Sequence, residues 1–227
     1  MIALSNSNDL DKLKTEVFHL NCNQKFIRSN KFTESIVTVN VDLSDWQATK
    51  SALQSIDKPI DFLVNNAGII KPEPIGQVTQ QSFDLQFAIN TRAMINISQM
   101  IAELMIRNKT AGAIVNISSQ ASIKALKDQI VYCASKAAVD SITRGLAFEL
   151  GPYNIRVNSV NPTVVMTELA QMAWSDPVKA NAMKSRIPLG KFAQPQDVAN
   201  ATAFLLSDQS SMITGTNIIL DGGFTSC

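Results

Sequence analysis

Six short apolar runs punctuate this chain, at residues 2–4, 35–41, 60–64, 113–117, 156–160 and 217–220. Between them lie longer stretches whose apolar residues recur every three or four positions. Strand-length runs alternating with helical periods predict an α/β fold, a parallel sheet wrapped by helices. The helices carry their own start and stop signals. Ser44 with Gln47 reads as a capping box ahead of Trp46, Leu53 and Ile56. Pro195 opens a second helix, with Val198, Thr202, Leu205 and Leu206 on one face. A third runs on from Tyr132 and stops at Gly151 and Pro152. Its face of small residues, Ala134, Ala137 and Ala138 with Ile142, suits close packing on a sheet or against a second subunit.

Composition narrows the class. The 227 residues are 45% hydrophobic and 17% charged, which suits one domain with a sizeable core. Twenty basic residues nearly cancel nineteen acidic ones, and no basic run or aromatic-interleaved patch is present. Nucleic acid is therefore not an expected partner, and a small molecule is. Three widely spaced cysteines, Cys22, Cys133 and Cys227, fit neither a disulfide framework nor a zinc site. No metal is expected. His19 is the one histidine and sits in a polar stretch. The first four residues are too few for a signal segment, and no apolar run approaches a membrane span, so the cytoplasm is the expected location.

Chemistry enters at "YCASK", where Tyr132 and Lys136 stand four residues apart. On a helix that spacing puts phenol and ammonium on one face, a turn apart. A nearby cation stabilises tyrosinate and draws a phenol pKa of about 10 toward neutrality, making a general acid or base. By itself YxxxK recurs by chance in many helices. Ser119, thirteen positions upstream in "NISSQ", adds a hydroxyl.

The order "DFLVNNAG" (61–68), "FAINTRA" (87–93), "NISSQ", "YCASK" and "IRVNSVNPTVVMT" (155–167) resembles the short-chain dehydrogenase/reductase family along the whole chain. The stretches "VNPTVVMTELAQMAWSDP", "RIPLGKFA" and "DGGFTSC" look like that family's group of xylulose and dicarbonyl reductases. The resemblance implies a Rossmann-type, doubly wound parallel sheet and a hydride transfer between nicotinamide and a carbonyl. It makes Tyr132 the proton donor, Ser119 the partner of the carbonyl oxygen, Lys136 the ribose-binding cation and Asn90 the anchor of a water relay to Lys136. Ser118 is the near neighbour that the thirteen-residue interval passes over.

For the cofactor, the resemblance points to Asn65, Asn66, Ala67 and Gly68 on the adenine-ribose side, although a bare "NNAG" is also an ordinary turn. Asp42 is placed to accept from the adenine amino group or to cap beside Ser44. Pro162, Val165 and Thr167 stand where the nicotinamide amide binds, and Thr163 replaces the glycine usual in the wider family. Ser5, Asn6 and Ser7 offer donors and no carboxylate where the ribose 2′-position is read, which favours NADP(H) and leaves NAD(H) open. Gln120, Leu126, Gln129 and Trp174 match positions lining a sugar or dicarbonyl pocket, or else belong to a lid. The implied reaction interconverts L-xylulose and xylitol and reduces small alpha-dicarbonyls. A 3-oxoacyl or steroid reductase is the alternative.

The chain also departs from the family. The glycine-rich turn TGxxxGxG that seats the pyrophosphate on a helix N-terminus is missing, and the first glycine is Gly68. Residues 1–4 resemble the second strand, so the expected domain over 1–227 lacks the first strand, glycine loop and first helix. Residues 17–34 are polar and longer than the family's connection there: an inserted loop, an ordinary surface excursion or a gene-model error. The family's contact helices, here roughly 83–107 and the one bearing Tyr132, imply a homotetramer. A truncated isoform acting only as an oligomer partner is the contrasting expectation.

Overall fold

The computed structural model describes residues 2–5, 37–54, 56 and 59–226. The stretch 17–34, His19, Cys22, Asn6, Ser7 and Cys227 lie outside the described residues, as does the side chain of Ser5. All six apolar runs are strands, with ends displaced by at most two residues: β1 (Ile2–Ser5), β2 (Val37–Asn40), β3 (Phe62–Asn65), β4 (Gly112–Ile117), β5 (Ile155–Pro162) and β6 (Asn217–Leu220). Every pairing is parallel. The helices are α1 (Trp46–Gln54), α2 (Gln80–Phe87), α3 (Ala93–Arg107), α4 (Ile130–Leu150), α5 (Glu168–Ala173), α6 (Pro177–Lys184) and α7 (Pro195–Leu206). A π-helical turn, Ala88–Arg92, joins α2 to α3.

The sheet is in two parts. β1 pairs with β2, and β3-β4-β5-β6 form a separate four-stranded sheet. β4 and β5 are almost wholly buried, with α4 on β5 and α7 on β4, as parallel strands between helical layers should be. β3 is different. Among the described residues it has a strand neighbour on one side alone, and Phe62 and Val64 are 53% and 42% exposed. Apolar residues of a parallel strand are left at an open edge.

The main core lies beneath β3, β4 and β5, where Ile97, Ile101 and Met105 of α3 meet Ile114, Ile155 and Val157. Close approach requires Gly112 at the start of β4: a Cβ there would lie 2.7 Å from Met105 Sδ and 2.9 Å from the Asp61 carbonyl oxygen. Behind β5, Arg156 donates to the carbonyls of Leu205 (2.8 Å) and Ser207 (3.1 Å) and to Ser210 Oγ (2.8 Å). It thereby satisfies the free C-terminal carbonyls of α7.

One reading of the helix starts is corrected. Asp45, not Ser44, caps α1, its Oδ1 accepting the N–H groups of Gln47 and Ala48 at 2.8 Å each. Ser44 instead donates through N–H and hydroxyl to Asp42 Oδ1 (2.9 and 2.7 Å), because α1 begins at Trp46 and the residue just before its first turn is Asp45.

Ile114→Ala removes a fully buried side chain and is expected to cost about 2–5 kcal/mol, whereas Phe62→Thr at the open edge changes stability by under about 1 kcal/mol. Urea unfolding followed by far-UV circular dichroism measures both. Equal losses would show that the outer face of β3 is covered.

Candidate active site

Three elements converge at the C-terminal end of the four-stranded sheet. β4 delivers Ser118 and Ser119 just past Ile117, and the chain turns at once into a single 3-10 turn, Gln120–Ser122. Ser119 caps that turn, its Oγ accepting the Ala121 N–H at 3.1 Å. α4 begins at Ile130, so Tyr132 lies in its first turn and Lys136 one turn further on. The Ser119 hydroxyl hydrogen-bonds to the Tyr132 phenol. Lys136 is 4% exposed; its Nζ donates to the Ile117 carbonyl at 2.8 Å and stands 5.8 Å from the Tyr132 ring centre.

The loop after β3 closes the site from the other side. Asn90, in the π-helical turn, accepts from Ile69 N–H (2.8 Å) and donates to the Ile69 carbonyl (2.9 Å) and to Ser135 Oγ (3.0 Å). A π turn inserted in a helix often marks such a functional position. Gly68 keeps the space above the ammonium open, since a Cβ there would lie 3.3 Å from Lys136 Nζ and 3.5 Å from Asn90 Oδ1. Ser118 donates to the Lys136 carbonyl (3.1 Å) and so fastens helix to strand.

Burial sets the electrostatics. It lowers the Lys136 pKa from 10.5 to about 8, opposed by the negative charge of Asp140. Burial likewise raises the Tyr132 phenol above its ordinary value, opposed by the bond from Ser119. A tyrosine drawn toward neutrality is therefore not what this structure shows. The ammonium is held on the Ile117 carbonyl, and at the phenol burial outweighs the bond from Ser119. The phenol is kept as an acid, the form that donates a proton.

Ser119, Tyr132 and Lys136 share one cavity of about 210 Å³ with Gly68, Pro162 and Val165. Asn66 and Thr163, from stretches the sequence already pointed to, also line it, with Ile69 and Ile70, which were not singled out as ligand contacts. The other candidates stand further out. Asn65 braces the sheet, donating to Ser98 Oγ (2.9 Å) and Asn116 Oδ1 (2.8 Å). Ala67 is exposed on the adjoining loop. Asp42 makes the local turn with Ser44, and those bonds lower its pKa. Thr167 caps α5, accepting from Ala170 N–H at 3.3 Å. Leu126 and Trp174 pack with Phe192 and Phe224 in a separate apolar cluster. Gln120 and Gln129 each keep a buried Oε1 with no hydrogen-bond partner, as Thr163 does its Oγ1. Such groups are costly unless a ligand or water satisfies them.

A protonated phenol beside a buried cation, at the carboxyl edge of a parallel α/β sheet, defines a proton-donating site of the dinucleotide-dependent oxidoreductase class. Comparison with known proteins agrees. Residues 17–225 match the family described as "Enoyl-(Acyl carrier protein) reductase". The chain is similar to L-xylulose reductase of Homo sapiens, 52% identical over 192 residues, 85% of this chain and 78% of the relative. It is similar also to D-erythrulose reductase of Gallus gallus, 50% identical over 184 residues, 81% of this chain and 74% of the relative. Among solved structures, a gluconate 5-dehydrogenase from Burkholderia cenocepacia in complex with NADP and tartrate superposes with a TM-score of 0.84 at 25% identity, covering 100% of this chain and 85% of that one. The chain belongs to the short-chain dehydrogenase/reductase family of oxidoreductases.

Lys136 loses its charge as pH rises through about 8, while Tyr132 stays protonated there. The kcat/KM for carbonyl reduction, which reports groups of the free enzyme, is expected to fall above pH 8. Lys136→Arg should displace that fall upward by more than about one pH unit, since a guanidinium stays charged. A pH profile of both proteins checks this; coincident profiles would assign the limb to another group.

Proposed function

We propose that this chain is an NADP(H)-dependent carbonyl reductase that interconverts L-xylulose and xylitol and reduces small alpha-dicarbonyls. One observation carries the reading: the Ser119 hydroxyl, the Tyr132 phenol and the Lys136 ammonium meet in a cavity lined on its far side by Pro162 and Val165. The unpartnered Gln120 and Gln129 oxygens favour a substrate bearing hydroxyl donors. Both relatives act, by their names, on small ketoses. A cytoplasmic homotetramer is part of the same reading and rests on the family resemblance.

The fit to the cofactor is uneven. Gly68 leaves room over Lys136, and the cavity suits the nicotinamide-ribose end. Lys136 would hold the ribose hydroxyls, with Pro162, Val165 and Thr167 flanking the carboxamide. At the diphosphate the 227 residues offer no glycine-rich turn. Ser5, Asn6 and Ser7 favour NADP(H), with NAD(H) as the lesser alternative.

Reduced nicotinamide supplies the hydride. The chain's own residues do the rest. Ser119 donates to the substrate carbonyl oxygen and orients it. Tyr132 gives its proton to that oxygen as negative charge develops there. Lys136, charged below pH 8, stabilises the phenolate left behind, and Asn90 fixes the loop and helix on either side.

A second reading is favoured by the open edge of β3. On it the chain is a catalytically impaired partner in mixed oligomers. Purified chain with NADPH and L-xylulose or diacetyl is expected to consume the cofactor, and Tyr132→Phe to slow that by at least about a hundredfold. Equal rates in the two proteins, or a folded and inactive chain, would overturn the enzyme reading.

A further inference from the structure

Beneath the site lies a buried polar chain that proton transfer does not use. Asp140 stands on α4 one turn beyond Lys136 and is 6% exposed. Its carboxylate accepts from Asn161 Nδ2, 3.1 Å from Oδ1 and 2.9 Å from Oδ2. Asn161, on β5 and fully buried, is oriented by Ser159, whose hydroxyl donates to Asn161 Oδ1 at 2.8 Å. The same Nδ2 reaches forward to Ser122 Oγ (2.9 Å) and to the Ser119 carbonyl (3.3 Å). Ser122 Oγ in turn donates to the Ser119 carbonyl at 2.7 Å.

An amide nitrogen carries two hydrogens, and an ionised carboxylate only accepts. One Asn161 hydrogen is therefore committed to Asp140, which leaves the other for the 119–122 turn and fixes which way the amide faces. With a neutral amide at position 140, Asn161 could flip and present its oxygen to the Ser119 carbonyl, two acceptors face to face. The carboxylate forbids that arrangement.

We propose that Asp140 is a positioning residue of the active site: through the Asn161 amide it holds the 119–122 turn, and hence the direction in which the Ser119 hydroxyl meets Tyr132. The consequence for turnover rests on the carbonyl-reductase reading; the consequence for the turn does not. Charge acts in the same sense, because Asp140 favours the ammonium form of Lys136. A cradle of this kind works on transition-state geometry more than on substrate affinity.

The test compares Asp140→Asn, Ser122→Ala and the double variant by steady-state kinetics with NADPH and L-xylulose, and by amide hydrogen exchange. Asp140→Asn is expected to lower kcat about tenfold with KM changed less than about twofold. Ser122→Ala, too mild to unfold the protein, should lower kcat about threefold, and the double variant should be no slower than Asp140→Asn, as for two residues on one chain of bonds. Exchange at the Ala121 amide, which donates to Ser119 Oγ, should quicken about tenfold in Asp140→Asn while β4 and the middle of α4 keep their protection. Unchanged Ala121 exchange, or exchange quickened evenly through β4 and β5, overturns the proposal, as do losses that multiply in the double variant. If the parent chain folds but does not turn over, the carbonyl-reductase reading fails and the exchange measurement still decides this one.

Discussion

The bond from the Lys136 ammonium to the Ile117 carbonyl is the constraint on which the site depends. It takes a cation out of water and holds it against the last carbonyl of β4, beside the residues that turn away to form the Ser119 loop. A fall in pKa from 10.5 to about 8 corresponds to about 3 kcal/mol of differential cost for the charged form. That cost is borne by packing elsewhere: Val139 and Ala147 of α4 are buried against the sheet, so the helix cannot roll to return the ammonium to solvent.

From that placement the direction of the chemistry follows. The ammonium sits behind the tyrosine ring rather than on its oxygen, and burial holds the phenol in its protonated form. Reduction needs a proton donor, and this geometry keeps one ready. Formation of tyrosinate awaits a substrate whose oxygen takes the proton, or a pH well above neutral.

The two parts of the sheet divide the labour of binding unevenly. The residues that meet at the cavity belong to the four-stranded part, to loops leaving it or to α4 packed on it. Two buried polar clusters tie that part to α4, Asn116 bonding to Thr143 and Asn161 to Asp140. β1 and β2 form their own pair, and β3 pairs with β4 on one side while its Phe62 and Val64 stay exposed. The candidate proton-transfer groups thus belong to the four-stranded part and the helix packed on it.

Much was legible along the chain. Strand-length apolar runs bounded by polar residues located all six strands, most plainly β4, which is buried between helical layers. Helix period put Tyr132 and Lys136 on one face, and residue spacing chose Ser119 over Ser118. What the one-dimensional pattern could not decide was who meets whom. Gln120 and Trp174 are matched to one pocket by resemblance yet reach different surroundings, one at an unsatisfied buried oxygen and the other in an apolar cluster. Asp45 rather than Ser44 caps α1, because the helix begins at Trp46 and Ser44 is held by Asp42. The phenol's affinity for its proton was misjudged for the same reason: spacing on a helix tells that two groups are near, while burial and the competing Ile117 carbonyl, which only the packed strands supply, determine which of them the charge serves.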